Sequence, residues 1–127
     1  MNQEKVIFGF FILLALTLNF GFFVGEIDNP AHHEAYELFA AIIVSAVATV
    51  LKFGDRTHMG ALLLSTSLVA DLQLIAAALV WGVAATMSED GVTPGLMASI
   101  VSLSGGALLA NITSVALLLI ETVTLRR

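Results

Sequence analysis

Residues 60–86 read GALLLSTSLVADLQLIAAALVWGVAAT, an apolar run with a single ionisable side chain, Asp71, close to its middle. A helix needs about 20 predominantly apolar residues to cross a ~30 Å hydrocarbon core, and this run exceeds that. Working outward, three more such stretches emerge, at about 6–25, 36–53 and 94–123. The second is the shortest and needs help at its ends to span. Strands would have to close into a barrel, and the alternation of apolar and polar residues that a barrel requires is absent. The expected fold is an all-α membrane protein of four transmembrane helices with short loops, forming one transmembrane domain over residues 1–127.

Composition agrees. The chain is 58% hydrophobic and 12% charged, against roughly a quarter charged in a soluble domain. The charges are also bunched. Lys5, Lys52, Arg56, Arg126 and Arg127 all fall in the N-terminus, the second loop or the C-terminus, which four crossings place on one side. The other two loops carry Glu26, Asp28, Glu34, Glu37, Glu89 and Asp90 without a lysine or arginine. The positive-inside rule then puts both termini and the Lys52–His58 loop in the cytoplasm. The first stretch follows a basic residue but lacks a small-x-small cleavage site, so it reads as an anchored helix and not a removable signal. The absence of cysteine excludes disulfides, thiolate metal sites, iron–sulfur clusters and covalent haem.

Local signals point to the same hairpins. Asn29–Pro30 and Thr93–Pro94 each pair an N-cap residue with proline at the first helical position. Gly54 suits a helix C-cap, and Asp55 is the expected N-cap of the third helix. Tyr36 and Trp81 fall near the outer interface, where amphipathic rings are favoured. Six of the eight phenylalanines lie in the first helix, which suits a face toward lipid. The fourth helix carries small residues at every fourth place, namely Ala98, Ser102, Gly106, Ala110 and Ser114. Such a stripe lets backbones approach closely, and its drift around a 3.6-residue helix favours a right-handed crossing. This helix is therefore the expected packing centre, within one chain or between copies.

Asp71 is the leading candidate for chemistry. An ionised aspartate at mid-membrane costs about 2.5–3.5 kcal/mol on insertion scales, so it should face protein or water rather than lipid. Ser67, Ala78 and Gly82 share its helix face as a small, partly polar stripe. The functional reading is a carboxyl group that binds a proton or small cation; the structural one is a hydrogen bond to a neighbouring helix. Asn111 lies near the depth of Asp71 and is expected beside it. Asn19 and Gln73 are further intramembrane amides, each alone an interhelical bond worth about 0.6–2 kcal/mol and together with Asp71 and Asn111 a polar path. His32 and His33, among Asp28, Glu34 and Glu37, have the ligand chemistry of a zinc site. Adjacent histidines diverge, however, and no spacing there is diagnostic, so a solvated helix start is the simpler reading and no metal is expected. Glu121 is expected to reach the terminal arginines. No phosphate-cradling loop, nucleophile–base pair or nucleic-acid patch is present, so neither an enzyme nor a nucleic-acid binder is expected, and no cofactor is implied.

The runs Glu4-Lys-Val-Ile-Phe-Gly-Phe-Phe11, Leu51-Lys-Phe-Gly-Asp-Arg-Thr57 and Leu68-Val-Ala-Asp-Leu-Gln-Leu-Ile-Ala76 resemble a family of small bacterial inner-membrane proteins of unknown function. The resemblance implies a bacterial inner membrane and four helices, and transfers no functional residue. The chain does not resemble the small four-helix multidrug exporters, which place a glutamate in the first helix where this chain has Asn19. It also lacks the Thr-Thr-Phe-Ser-Thr run of fluoride channels.

Two functions fit a bare four-helix membrane domain whose other partner is the lipid bilayer. One is a homo-oligomeric conduit or carrier for protons or small cations, with Asp71 as its critical group. The other is a non-catalytic accessory subunit that packs through the Ser102–Gly106–Ala110 stripe against a larger membrane complex. A conduit needs Asp71 reachable from water, whereas a subunit needs only its stripe buried.

Overall fold

The computed structural model describes residues 3–24, 35–55, 57–87, 89 and 91–125. Among them are four helices: α1 (Gln3–Phe23), α2 (Ala35–Lys52), α3 (His58–Met87) and α4 (Pro94–Leu125). Each is long and apolar enough to cross a membrane. Consecutive helices pack side by side and α4 closes back on α1, with the most extensive contact between α3 and α4. The result is an up-down-up-down four-helix bundle.

On every helix a line of buried positions steps alternately by three and four, and Thr49 and Val101 are buried just beside it. The line runs through Phe8, Ile12, Ala15, Asn19 and Phe22 on α1, then Leu38, Ala41, Ser45, Ala48 and Lys52 on α2. On α3 they are Gly60, Leu63, Ser67, Ala70, Leu74 and Ala77. On α4 they are Met97, Ile100, Ser104, Ala107, Asn111 and Ser114. A seam that repeats every 3.5 residues keeps a narrow line of each helix against its neighbours and belongs to left-handed, coiled-coil-like packing. The every-fourth-residue stripe drifts off the seam: Ser114 is buried, Ala98, Gly106 and Ala110 are half-buried, and Ser102 is exposed. The stripe beside Asp71 drifts the same way, from buried Ser67 to exposed Gly82.

Small and polar side chains hold much of this interior while bulky apolar ones point outward. Phe10, Ile43, Leu72 and Leu109 are each more than half exposed, whereas Asn19, Ser45, Ser67, Ser104 and Asn111 have no accessible surface. A water-soluble bundle shows the reverse arrangement. The phenylalanines of α1 divide accordingly: Phe10 and Phe20 face out, but Phe8 and Phe22 are core residues.

The helix ends show which local signals act. Thr93 accepts a hydrogen bond from the Leu96 amide, the N-cap arrangement expected before Pro94. Gly54 takes the left-handed conformation, φ 91°, that ends α2. Thr57, not Asp55, caps α3, its hydroxyl accepting from the Gly60 amide at 2.9 Å. Asp55 instead accepts from the amide (3.0 Å) and hydroxyl (2.7 Å) of Thr57 and so holds the cap residue in place. The Asn29–Pro30 cap lies outside the described residues. Lys5 Nζ donates to Glu121 at 2.8 Å, which ties the end of α4 to the start of α1; the terminal arginines expected near Glu121 lie outside the described residues.

Candidate functional site: a polar layer between two apolar clusters

The apolar core is in two parts. One cluster, at the end where α1 begins, is built on Phe8, Ile12, Ala48 and Leu63. The other contains Phe22, Leu38, Leu74, Met97 and Ile100 and extends toward the opposite end. Between them each helix brings a small or polar residue to the seam: Ala15, Ser45, Ser67 and Asn111, all fully buried. The inter-helix contacts fix their common level. The Phe8–Lys52 contact sets Ala15 opposite Ser45, and the Lys5–Glu121 bond with the Gly9–Leu118 contact sets Ala15 opposite Asn111. The Thr66–Ser114 bond and the Gln73–Gly106 contact place Asn111 beside the turn of α3 between Ser67 and Asp71.

Asp71 sits one position outside the α3 seam, half-buried, on the flank that faces α2. Both of its carboxyl oxygens are engaged: Ser45 Oγ lies 2.5 Å from Oδ1 and Thr49 Oγ1 2.5 Å from Oδ2. Thr49 Oγ1 is also 3.0 Å from the Ser45 carbonyl oxygen, one turn back along α2. Among the described residues no lysine, arginine or histidine forms a salt bridge with Asp71. Asn111, expected beside Asp71, lies next to the same turn of α3, but no hydrogen bond joins the two: Asp71 turns toward α2, and neither amide atom of Asn111 has a hydrogen-bond partner. Ser67 Oγ, one turn before Asp71, is likewise buried and unpartnered. A buried polar atom without a partner costs about 1–3 kcal/mol, so three in one layer is an unusual concentration.

The other candidate amides separate in behaviour. Asn19 accepts from the Ser104 hydroxyl at 2.5 Å and donates to the Ser104 carbonyl at 3.2 Å, a reciprocal and fully buried pair. Gln73 lies over Gly106, where an added Cβ would come within 2.6 Å of its amide and displace it; its Oε1 is buried without a hydrogen-bond partner. Asn19 thus bonds α1 to α4 while Gln73 packs α3 against α4, and neither touches Asp71 through a hydrogen bond. Of the stripe on α4, Gly106 and Ser114 face α3; the Ser114 hydroxyl is 2.5 Å from that of Thr66.

Sequence reasoning missed Ser45, Thr49 and Lys52. The signal for the first two was their four-residue spacing, which makes them the hydroxyl pair on one face of an otherwise apolar helix. Lys52 continues that face by one turn. Its side chain is buried, with Nζ 3.5 Å from Asp55 Oδ2 and 4.5 Å from the centre of the Phe8 ring. It forms one wall of a cleft of about 830 Å³ at that end, shared with Glu4, Lys5, Asp55 and Glu121. The Thr57 hydroxyl, then the Thr57 amide, and lastly Lys52 hold the Asp55 carboxyl below its ordinary value of 3.8, against a small opposing effect of burial.

His32 and His33 lie outside the described residues, and so do Asp28 and Glu34. Glu37 is described: its carboxylate folds over Gly21 of α1. Among the described residues no group of three or more histidine, cysteine, aspartate or glutamate side chains is arranged to hold a metal.

A family model described as a family of unknown function, DUF6394, matches residues 32–122. The match covers α2, α3 and nearly all of α4, with Ser45, Thr49, Ser67, Asp71 and Asn111 inside it, and the chain belongs to this family. No curated protein and no solved structure matches the chain.

Proposed function

We propose that this DUF6394 chain is an inner-membrane conduit or carrier for protons or small cations that works as a homo-oligomer through Asp71. The observation that carries the reading is a carboxyl group held by two hydroxyls, without a basic partner among the described residues, at the level of three unpartnered polar atoms. A residue needed only to join helices is better served by a closed neutral pair such as Asn19–Ser104. Intramembrane acids that face protein are most often working groups.

The exposed apolar belt supports a bilayer as the solvent. The grouping of Lys5 and Lys52 at one end, with Arg56, Arg126 and Arg127 next to it in sequence, supports a cytoplasmic position for both termini. The bundle axis is filled above and below the polar layer by Phe22, Leu74 and Met97 and by Phe8, Ile12 and Leu63. A route to Asp71 therefore runs along the α2–α3 flank on which it sits, where a second copy supplies the other wall. The accessory-subunit alternative draws support from Ser102, whose place in the small-residue stripe faces outward and is left for another helix.

The test is ion flux in proteoliposomes under proton, sodium and potassium gradients, with wild type compared to Asp71→Asn. Flux that is lost in the variant while oligomeric state and helicity persist assigns transport to Asp71. A well-folded wild type with no flux under any of these gradients, and a larger protein that co-purifies in mild detergent, would establish the accessory reading instead.

A further inference from the structure

The cleft at the end where α1 begins brings buried charge to the edge of the lipid-facing belt. Its volume of about 830 Å³ falls in the range of roughly 300–1,000 Å³ that holds small ligands. One part of its lining is charged, with Glu4 and Lys5 from α1, Lys52 and Asp55 from the end of α2 and its turn, and Glu121 from α4. The other part is apolar: Ile7, Val50, Leu51 and Phe53 border the cleft and are all exposed. Lys5 stands within a turn of Ile7, and Lys52 within a turn of Val50. On both helices, then, apolar surface gives way to charge over one turn, which is the depth at which hydrocarbon gives way to headgroups.

The two lysines of the cleft are held differently. Glu121 accepts from Lys5 at 2.8 Å, a full charge-assisted bond. The Lys52 side chain is only 8% exposed, yet among the described residues its ammonium has one carboxylate partner, Asp55 Oδ2 at 3.5 Å, with the Phe8 ring centre at 4.5 Å. Bonds between an ammonium and a carboxylate are normally about 2.7–2.9 Å long, and an ammonium has three N–H groups to place. Asp55 is tied elsewhere, since its other oxygen accepts from the amide and hydroxyl of Thr57. A buried ammonium so loosely paired is costly unless a further acceptor reaches it. The lining also carries three carboxylates against two ammonium groups. A bare anion would meet an excess of negative charge, and a bare cation would leave Lys52 as it stands. A ligand with an anionic oxygen at one place and an N–H cation at another answers both.

We propose that this cleft binds the headgroup of a phospholipid that carries both a phosphodiester and a primary ammonium. Phosphate oxygens accept from Lys52, and the ammonium of the headgroup donates to the carboxylates across the cleft. The acyl chains lie over the exposed Ile7, Val50, Leu51 and Phe53, a continuous path from the charged wall to the belt. That path makes the occupant a lipid and not a soluble zwitterion, and charged pockets between membrane helices are known places for headgroups. The site is separate from Asp71 and stands with either reading of the protein's function.

Native mass spectrometry of the full chain in mild detergent tests the site, with phosphatidylethanolamine, phosphatidylcholine and phosphatidylglycerol of identical acyl chains added in turn. Wild type should retain phosphatidylethanolamine about ten-fold more tightly than either of the others, because phosphatidylcholine has no N–H to donate and phosphatidylglycerol has no cation. Lys52→Met should abolish the preference. Val50→Trp, at an exposed position on the rim, fills the mouth of the cleft without entering the core and should abolish it as well, so the outcome does not hang on the folding of Lys52→Met. Equal retention of the three lipids by wild type would overturn the proposal, and so would a preference for phosphatidylglycerol, which marks a plain anion site. A preference that survives in both variants places the lipid elsewhere and overturns it too. Displacement of the lipid by soluble glycerophosphoethanolamine would make the cleft a site for a free zwitterion and end the lipid assignment.

Discussion

Two polar contacts inside the bundle are built from similar materials and behave differently. Asn19 and Ser104 join α1 to α4 beside the cluster that contains Phe22 and Leu74, through a reciprocal pair in which both amide atoms are used. Asp71 joins α3 to α2 through an acid and two hydroxyls, with an unpartnered serine and asparagine at the same level. Saturation makes the first contact a fastener. The second sets an acid beside buried polar atoms that have no partner, and it is the group on which the proposed function rests.

Substitutions should separate the two contacts. Asp71→Asn is expected to have the largest effect, reducing proton flux in proteoliposomes to the level of empty vesicles while circular dichroism and oligomeric state are kept. Thr49→Val should follow, with flux reduced about ten-fold or more and recovered in Thr49→Ser, because a barrier increase of about 1.4 kcal/mol is already ten-fold in rate. Equal flux in Thr49→Val and wild type would reduce Thr49 to a packing residue. Asn19→Leu should act on the other contact alone. A loss of about 0.6–2 kcal/mol in denaturation measured in detergent or bilayers is expected, with flux per folded protein unchanged. If this variant loses flux without losing stability, the contrast between fastener and working site fails.

The smallest effect is expected at the turn between α2 and α3. The Asp55 carboxyl is held below 3.8 mainly by Thr57, so its contribution to stability is fully present above that value and is lost as pH falls through the lower folded value. Asp55→Asn should therefore lower stability at neutral pH and converge on wild type in acid, which flattens the acid limb of a stability–pH profile below about pH 4. Because the group is largely solvated, the effect at neutral pH is modest.

How much of this was legible in the sequence depends on which physical signal each feature leaves. Four long apolar runs show directly in composition, as does the isolation of Asp71. The buried seam does not, because it is written in size rather than polarity. Ala15, Ala41, Ala70 and Ala107 face inward while Phe10, Ile43 and Leu72 face outward, so every side of each helix reads as apolar. The stripe of small residues on α4 was visible, but it includes both Gly106, which packs within the chain, and Ser102, which faces outward. The pairing of Asp71 with α2 was hidden for a related reason. Depth along a helix can be counted from sequence, and it set Asn111 close to Asp71; direction around the helix cannot be counted without the seam, and it is direction that brings Ser45 and Thr49 to the carboxyl instead.

The length of α3 has its own consequence. With 30 residues it reaches about 45 Å, beyond a hydrocarbon core of about 30 Å. In a bilayer the surplus is met by tilt, kinking or local thickening around the helix that carries Asp71. Bilayer thickness then becomes a control on the site, since lipids with shorter chains enlarge the surplus and longer ones reduce it.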